Sequence, residues 1–210
     1  MLPSPSAPGL RPFFRGLIAA LILVALAILF VDRAASTWSN AHLHGIVFFH
    51  WITWAIEPVP ALAAGSLVVA ALMRARGWQP GPAGKTWIAC GVATVGAIVL
   101  KDELKWFFGR TWPESWVPGA PSWIGTHTYG FFILHGGSGW FSFPSGHMTV
   151  TTAPMAVLWR RVPRLRWIWG GLIGLMALGL WGSDYHFIGD MIAGTFLGAG
   201  CAAGTLLFVD

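Results

Sequence analysis

The chain has 210 residues, of which 55% are hydrophobic and only 10% charged, against about 25% charged in an average globular protein. That balance excludes an ordinary water-soluble domain and points to one integral membrane domain spanning residues 1–210. The net charge of +5 does not indicate a nucleic-acid partner, because the basic residues follow the loops between apolar runs.

Taken in order, the chain begins with a Pro- and Ser-rich tail, residues 1–12, expected to be disordered. Six apolar runs follow: Phe13–Val31, Val59–Met73, Trp87–Phe108, His147–Trp159, Leu165–Trp181 and Phe187–Phe208. They predict an all-α polytopic bundle of six transmembrane helices. The first run is long for a signal-peptide core, so it is expected to be an uncleaved anchor. The second and fourth are short for a bilayer that needs about 20 residues. Cys90 and Cys201 both fall inside apolar runs and are expected to be packing residues.

Charge sets an expected orientation. With the N-terminus in the cytoplasm and the runs alternating, nine of the thirteen basic residues fall on the inner side. The outer side then receives all seven histidines and seven of the eight acidic residues. A purely structural bundle has no need to gather its titratable chemistry on one face. The connection Asp32–Glu57, rich in His and aromatic residues, is expected along the outer interface. The long segment 109–143 lacks a helical or strand period and is expected to be an ordered cap over the outer face.

Three clusters carry candidate chemistry. The first is Lys105-Trp106-Phe107-Phe108-Gly109-Arg110-Thr111-Trp112-Pro113, with Lys101 one helical turn earlier. The second is Pro144-Ser145-Gly146-His147 at the start of the fourth run. There a hydroxyl, a glycine and the unpaired N–H groups of a helix N-terminus suit an anion. The third is Tyr185-His186-Phe187-Ile188-Gly189-Asp190. Its His and Asp are four residues apart, as on one helix face, and a carboxylate inside an apolar run needs a partner.

These three clusters, in this order and at these span positions, resemble the signature motifs of the type 2 phosphatidic acid phosphatase superfamily. The resemblance runs from Lys105 to Asp190. It implies a two-step phosphoryl transfer without metal or cofactor, acting on a lipid phosphate or pyrophosphate at the outer face of a bacterial-type inner membrane. His186 would attack phosphorus to form a phosphohistidine, Asp190 would orient it, and His147 would protonate the leaving alkoxide and then activate water. Lys105, Arg110, Ser145 and Gly146 would hold the phosphoryl oxygens, with Lys101 and His135 as auxiliary groups. Two positions depart from the family pattern. Trp112 stands where the first motif has arginine, and Gly179-Leu180 stand where the third has Ser-Arg. Arg110 is the expected replacement. Two further enzymic or binding readings share the fold: transfer of the phosphoryl group to a second lipid, and a catalytically weak member that binds phospholipid headgroups. A membrane haem or metal protein is a third reading, suggested by the seven outer histidines. Which lipid is bound, and the oligomeric state, are not legible.

Overall fold

A computed structural model describes residues 10–209. Nine α-helices account for most of them: α1 Leu10–Leu26, α2 Asp32–Leu43, α3 Val47–Trp54, α4 Val59–Ala75, α5 Pro82–Phe108, α6 Trp123–Thr126, α7 Gly146–Arg161, α8 Arg166–Gly182 and α9 Ile188–Val209. There is no β-strand among the described residues, only isolated bridges within the 109–143 segment. The all-α membrane architecture expected from the apolar runs is therefore present. Of the tail assigned to residues 1–12, residues 1–9 lie outside the described residues, and Leu10–Pro12 belong to α1.

The count of six spans is not exact. Among the described residues, five helical segments are long and apolar enough to cross a membrane: Phe14–Leu43, Val47–Ala75, Pro82–Phe108, Pro163–Gly182 and Ile188–Val209. The fourth apolar run forms α7, which has 16 residues and is roughly 24 Å long at 1.5 Å per residue. That is less than a hydrocarbon core of about 30 Å. The helix packs among α5, α8 and α9, so neighbouring helices surround it. The Asp32–Glu57 connection is helical for much of its length. Its first part continues α1 through a π-helical turn, Ala27–Val31, into α2.

The core lies where α5, α7 and α9 meet. Small side chains let the backbones approach: Ala89, Ala93 and Ala97 of α5 meet Ala153 and Val157 of α7 and Ala202 of α9. A Cβ on Gly194 would meet the Ser145 carbonyl and lie 3.0 Å from Met148 Cβ. Glycine at that point is what brings α9 against the first turn of α7.

Local signals set the ends that matter. Pro82 opens α5 at a position where its missing N–H is not needed. Gly109 closes it in the left-handed conformation (φ 54°), with its N–H donating to the Lys105 carbonyl. Ser145 caps α7, its hydroxyl accepting the Met148 N–H at 3.4 Å. Asp190 reaches back to accept the Phe187 N–H at 3.2 Å, half of a capping box at the start of α9. The C-terminal end of α5 and the N-terminal ends of α7 and α9 thus lie together. The 109–143 segment is ordered over them by backbone hydrogen bonds such as Thr111 to Gly130, Phe132 to Gly109 and Ser142 to Arg110.

Candidate active site

A cavity of about 460 Å³ opens at this end of the bundle. Lys101 and Lys105 of α5, Gly146 and His147 of α7, and Tyr185 and His186 of the turn before α9 line it. Trp112 and Trp116 of the cap, and Trp54, Ile56, Glu57 and Pro60 near the α3–α4 turn, complete a wall that is mostly apolar.

His186 is buried, and its Nδ1 faces Asp190 Oδ2 at 3.6 Å. That is longer than a hydrogen bond, and Nδ1 has no other hydrogen-bond partner. His186 lies before the first residue of α9, so the pair does not share a helix face as its spacing suggests. It meets because Asp190 turns back toward the cap of its own helix. Burial lowers the basicity of His186, and the neighbouring Asp190 carboxylate opposes the effect.

Asp190 is fully buried and does not line the cavity. Its Oδ2 accepts Ser142 Oγ at 2.6 Å as well as the Phe187 N–H, and its Oδ1 pairs with Arg110 Nη1. His147 lines the same cavity. Its ring lies 6.0 Å from His186 and stacks on Tyr185 at 6.2 Å, with Nε2 3.9 Å from Glu57 Oε1.

The cationic side of the cavity is Lys101 and Lys105. Their stems run over Gly146, whose absent side chain leaves them room: a Cβ there would lie 3.2 Å from Lys101 Cδ and 3.5 Å from Lys105 Cε. Lys105 donates to the Phe141 carbonyl and sits 5.2 Å from the Trp112 ring, while Lys101 pairs with Asp102. Ser145 is buried behind Gly146. Its hydroxyl caps α7 and its N–H donates to the Asp190 carbonyl at 3.0 Å.

Two expected site residues lie elsewhere. Arg110 is not on the cavity. It is completely buried, with Nη2 2.7 Å from Asp32 Oδ2 and 2.8 Å from the Tyr129 hydroxyl, and Nη1 on Asp190. Burial alone would lower its basicity, but the Asp190 and Asp32 carboxylates outweigh that and raise it. Its two Nη groups are taken by the Asp190 and Asp32 carboxylates and the Tyr129 hydroxyl, and Nε is buried without a hydrogen-bond partner, so no part of it is placed in the cavity to replace the arginine absent at Trp112. His135 lies exposed in the cap against Trp140, at 4.2 Å, away from the cavity. The two departures also separate in space. Trp112 forms cavity wall, 5.0 Å from His186, whereas Leu180 is fully buried in a cluster with Met148, Met176 and Met191.

Four participants were not singled out from sequence: Asp32, Tyr129, Ser142 and Glu57. Only Asp32 carried a usable signal, a carboxylate at the edge of an apolar run that has to find a partner. Among the described residues, no group of three or more His, Cys, Asp or Glu side chains is placed to hold a metal ion.

A buried histidine facing a carboxylate, a second imidazole 6.0 Å from it and two lysines beside a helix N-terminus are parts suited to displacement at phosphorus. Comparison with known proteins agrees. The sequence profile of the PAP2 superfamily matches residues 85–210. The fold is similar to the crystal structure of a transmembrane PAP2-type phosphatidylglycerolphosphate phosphatase from Bacillus subtilis, with a TM-score of 0.54. The two share 20% identity, over 93% of this chain and 94% of that one. No curated protein sequence gives a significant match.

Proposed function

The chain belongs to the PAP2 superfamily, and from that premise we propose that it is a membrane phosphatase that hydrolyses a lipid phosphate or pyrophosphate through a phosphohistidine on His186. The observation that carries the proposal is the placing of His186. Its Nδ1 faces a buried carboxylate, and the ring borders a cavity shared with His147 and Lys105. Asp190 stabilises the ring as it becomes cationic. The His186 lone pair forms the N–P bond while the P–O bond of the ester breaks, and His147 gives its proton to the departing alkoxide. Water then attacks phosphorus, its proton passes to His147, and the N–P electron pair returns to His186. Lys105 and Lys101 offset the phosphoryl charge, and the Gly146 N–H at the α7 N-terminus adds a half-charge. The residues so used need no metal. The charge pattern supports an active site on the outer face of a bacterial-type inner membrane.

The test is a panel of lipid phosphates and pyrophosphates assayed for released phosphate by purified protein in EDTA. Phosphate is expected from at least one, with acid-labile label on the parent protein and none on His186→Ala. Turnover by a well-folded His186→Ala variant at the parent level removes the mechanism, and activity lost in EDTA points to a metal. One observation favours a second reading, a headgroup-binding member of weak activity: among the described residues, no arginine lines the cavity. Lipid binding without phosphate release from any member of the panel would select it.

A further inference from the structure

Behind the nucleophile lies a row of three buried charges, Asp32, Arg110 and Asp190, each with a side chain fully removed from solvent. Arg110 bridges the two carboxylates, through Nη2 to Asp32 and Nη1 to Asp190. Asp32 also accepts the Gly189 N–H through Oδ1 at 2.8 Å, one residue from Asp190. The guanidinium is packed against aromatic faces, 4.6 Å from Phe187 and 4.8 Å from Phe131. Asp32 lies outside the residues matched by the family profile, directly after the π-helical turn Ala27–Val31. Such turns often mark functional positions.

Each buried ion costs several kcal/mol of desolvation, and an apolar cluster of the same volume would hold the helices at least as well. The count is also uneven. Two carboxylates and one guanidinium leave a net charge of −1 in a closed space. A neutral arrangement would need only one acid. The group placed to complete the balance is His186, whose Nδ1 faces Asp190. Resting on the phosphatase reading, we infer that Asp32 is a positioning residue whose charge, relayed through Arg110, leaves Asp190 a net −1 with which to balance the imidazolium ring of the phosphohistidine. When His186 Nε2 bonds to phosphorus the ring keeps its Nδ1 proton and becomes cationic, so cluster and ring together are neutral. When water takes the phosphoryl group, the electron pair returns to Nε2 and the −1 is restored.

The charged groups that face His186 are Asp190 from α9, Lys105 from α5, His147 from α7 and Arg110 from the cap, with Asp32 from α2 behind Arg110. Lys105 directs its ammonium to the Phe141 carbonyl and the cavity, where substrate charge awaits it. Its charge is felt by Asp190 through space, but its ammonium is held by that carbonyl rather than by the cluster.

The test is a charge series assayed with phosphatidylglycerolphosphate and p-nitrophenyl phosphate in detergent. Asp32→Asn keeps an acceptor for the Gly189 N–H and brings the cluster to zero. Arg110→Gln brings it to −2, and the double variant returns it to −1. The acid limb of kcat/KM reports protonation of the free nucleophile. It is expected roughly one pH unit lower in Asp32→Asn, higher in Arg110→Gln, and near the parent in the double variant, for a unit charge at an effective dielectric of about 20. Asp32→Asn should also lose roughly 10- to 100-fold in kcat with little change in KM, since Asp32 does not line the cavity. If one single variant fails to accumulate, the other and the double variant still test the order. A common acid limb throughout, or a loss that falls on KM, overturns the inference while leaving an active parent and its mechanism intact. An inactive parent strikes instead at the phosphatase reading on which it rests.

Discussion

Restoring an arginine at each of the two departing positions should have opposite results. Trp112 is cavity wall, 5.0 Å from the His186 ring and 5.2 Å from Lys105 Nζ. Trp112→Arg loses one hydrogen bond, from Nε1 to the Ser138 carbonyl at 2.8 Å, and the packing on Trp116 at 4.4 Å. A neutral hydrogen bond is worth about 1 kcal/mol. The large-to-flexible change removes roughly 2 kcal/mol more of burial. Against this, a guanidinium at the cavity edge makes charge-assisted bonds to phosphoryl oxygens of roughly 1.5–3 kcal/mol each. Two such bonds, made only when substrate is bound, raise kcat/KM by roughly 10- to 1,000-fold after repulsion by Lys105. Leu180→Arg offers no such gain. Leu180 has no exposed surface and sits among Met148, Met176 and Met191, so the variant buries an unpaired charge at a cost of roughly 3–5 kcal/mol. The assay is phosphate release at several lipid concentrations, beside thermal unfolding in detergent. Trp112→Arg should unfold somewhat earlier yet turn over faster, and Leu180→Arg should accumulate poorly. A folded Trp112→Arg no faster than the parent, or a stable and faster Leu180→Arg, refutes the assignment of these positions.

Three other outcomes are expected. Gly194→Ala forces a Cβ toward the Ser145 carbonyl and should lower stability by roughly 1–3 kcal/mol; Gly200→Ala, which meets nothing, should not, and equal melting temperatures would undo the close α7–α9 packing. Asp184, buried beside Ser36, has its carboxyl pushed up to about 7 by burial, so the folded state holds a proton the unfolded chain has released. Its contribution is fully present below about pH 4 and is lost as pH rises toward 7, and Asp184→Asn should flatten that slope in thermal unfolding. A cysteine at the exposed Ser138 should react with an impermeant thiol reagent from outside intact cells, and labelling only after lysis would reverse the proposed orientation.

Much was legible from the sequence because it is local. Hydropathy depends on runs of neighbours, so all six apolar runs became helices, although α7 is too short to span by itself. Helix ends are written in a few residues, so Ser145 before Gly146 and Gly109 after Phe108 could be read directly. The three motifs reached one cavity because each sits at such an end, and the helices bring those ends together. The fate of Arg110 was decided only by the tertiary structure. Its partners lie 78 and 80 residues away in the chain, and charge counting sees a free cation where the fold supplies two carboxylates. His186 and Asp190 likewise meet through a helix cap rather than along a helix face. The same distinction separates Trp112 from Leu180. Both read as missing arginines, but the path of the backbone turns one toward the cavity and the other into the core.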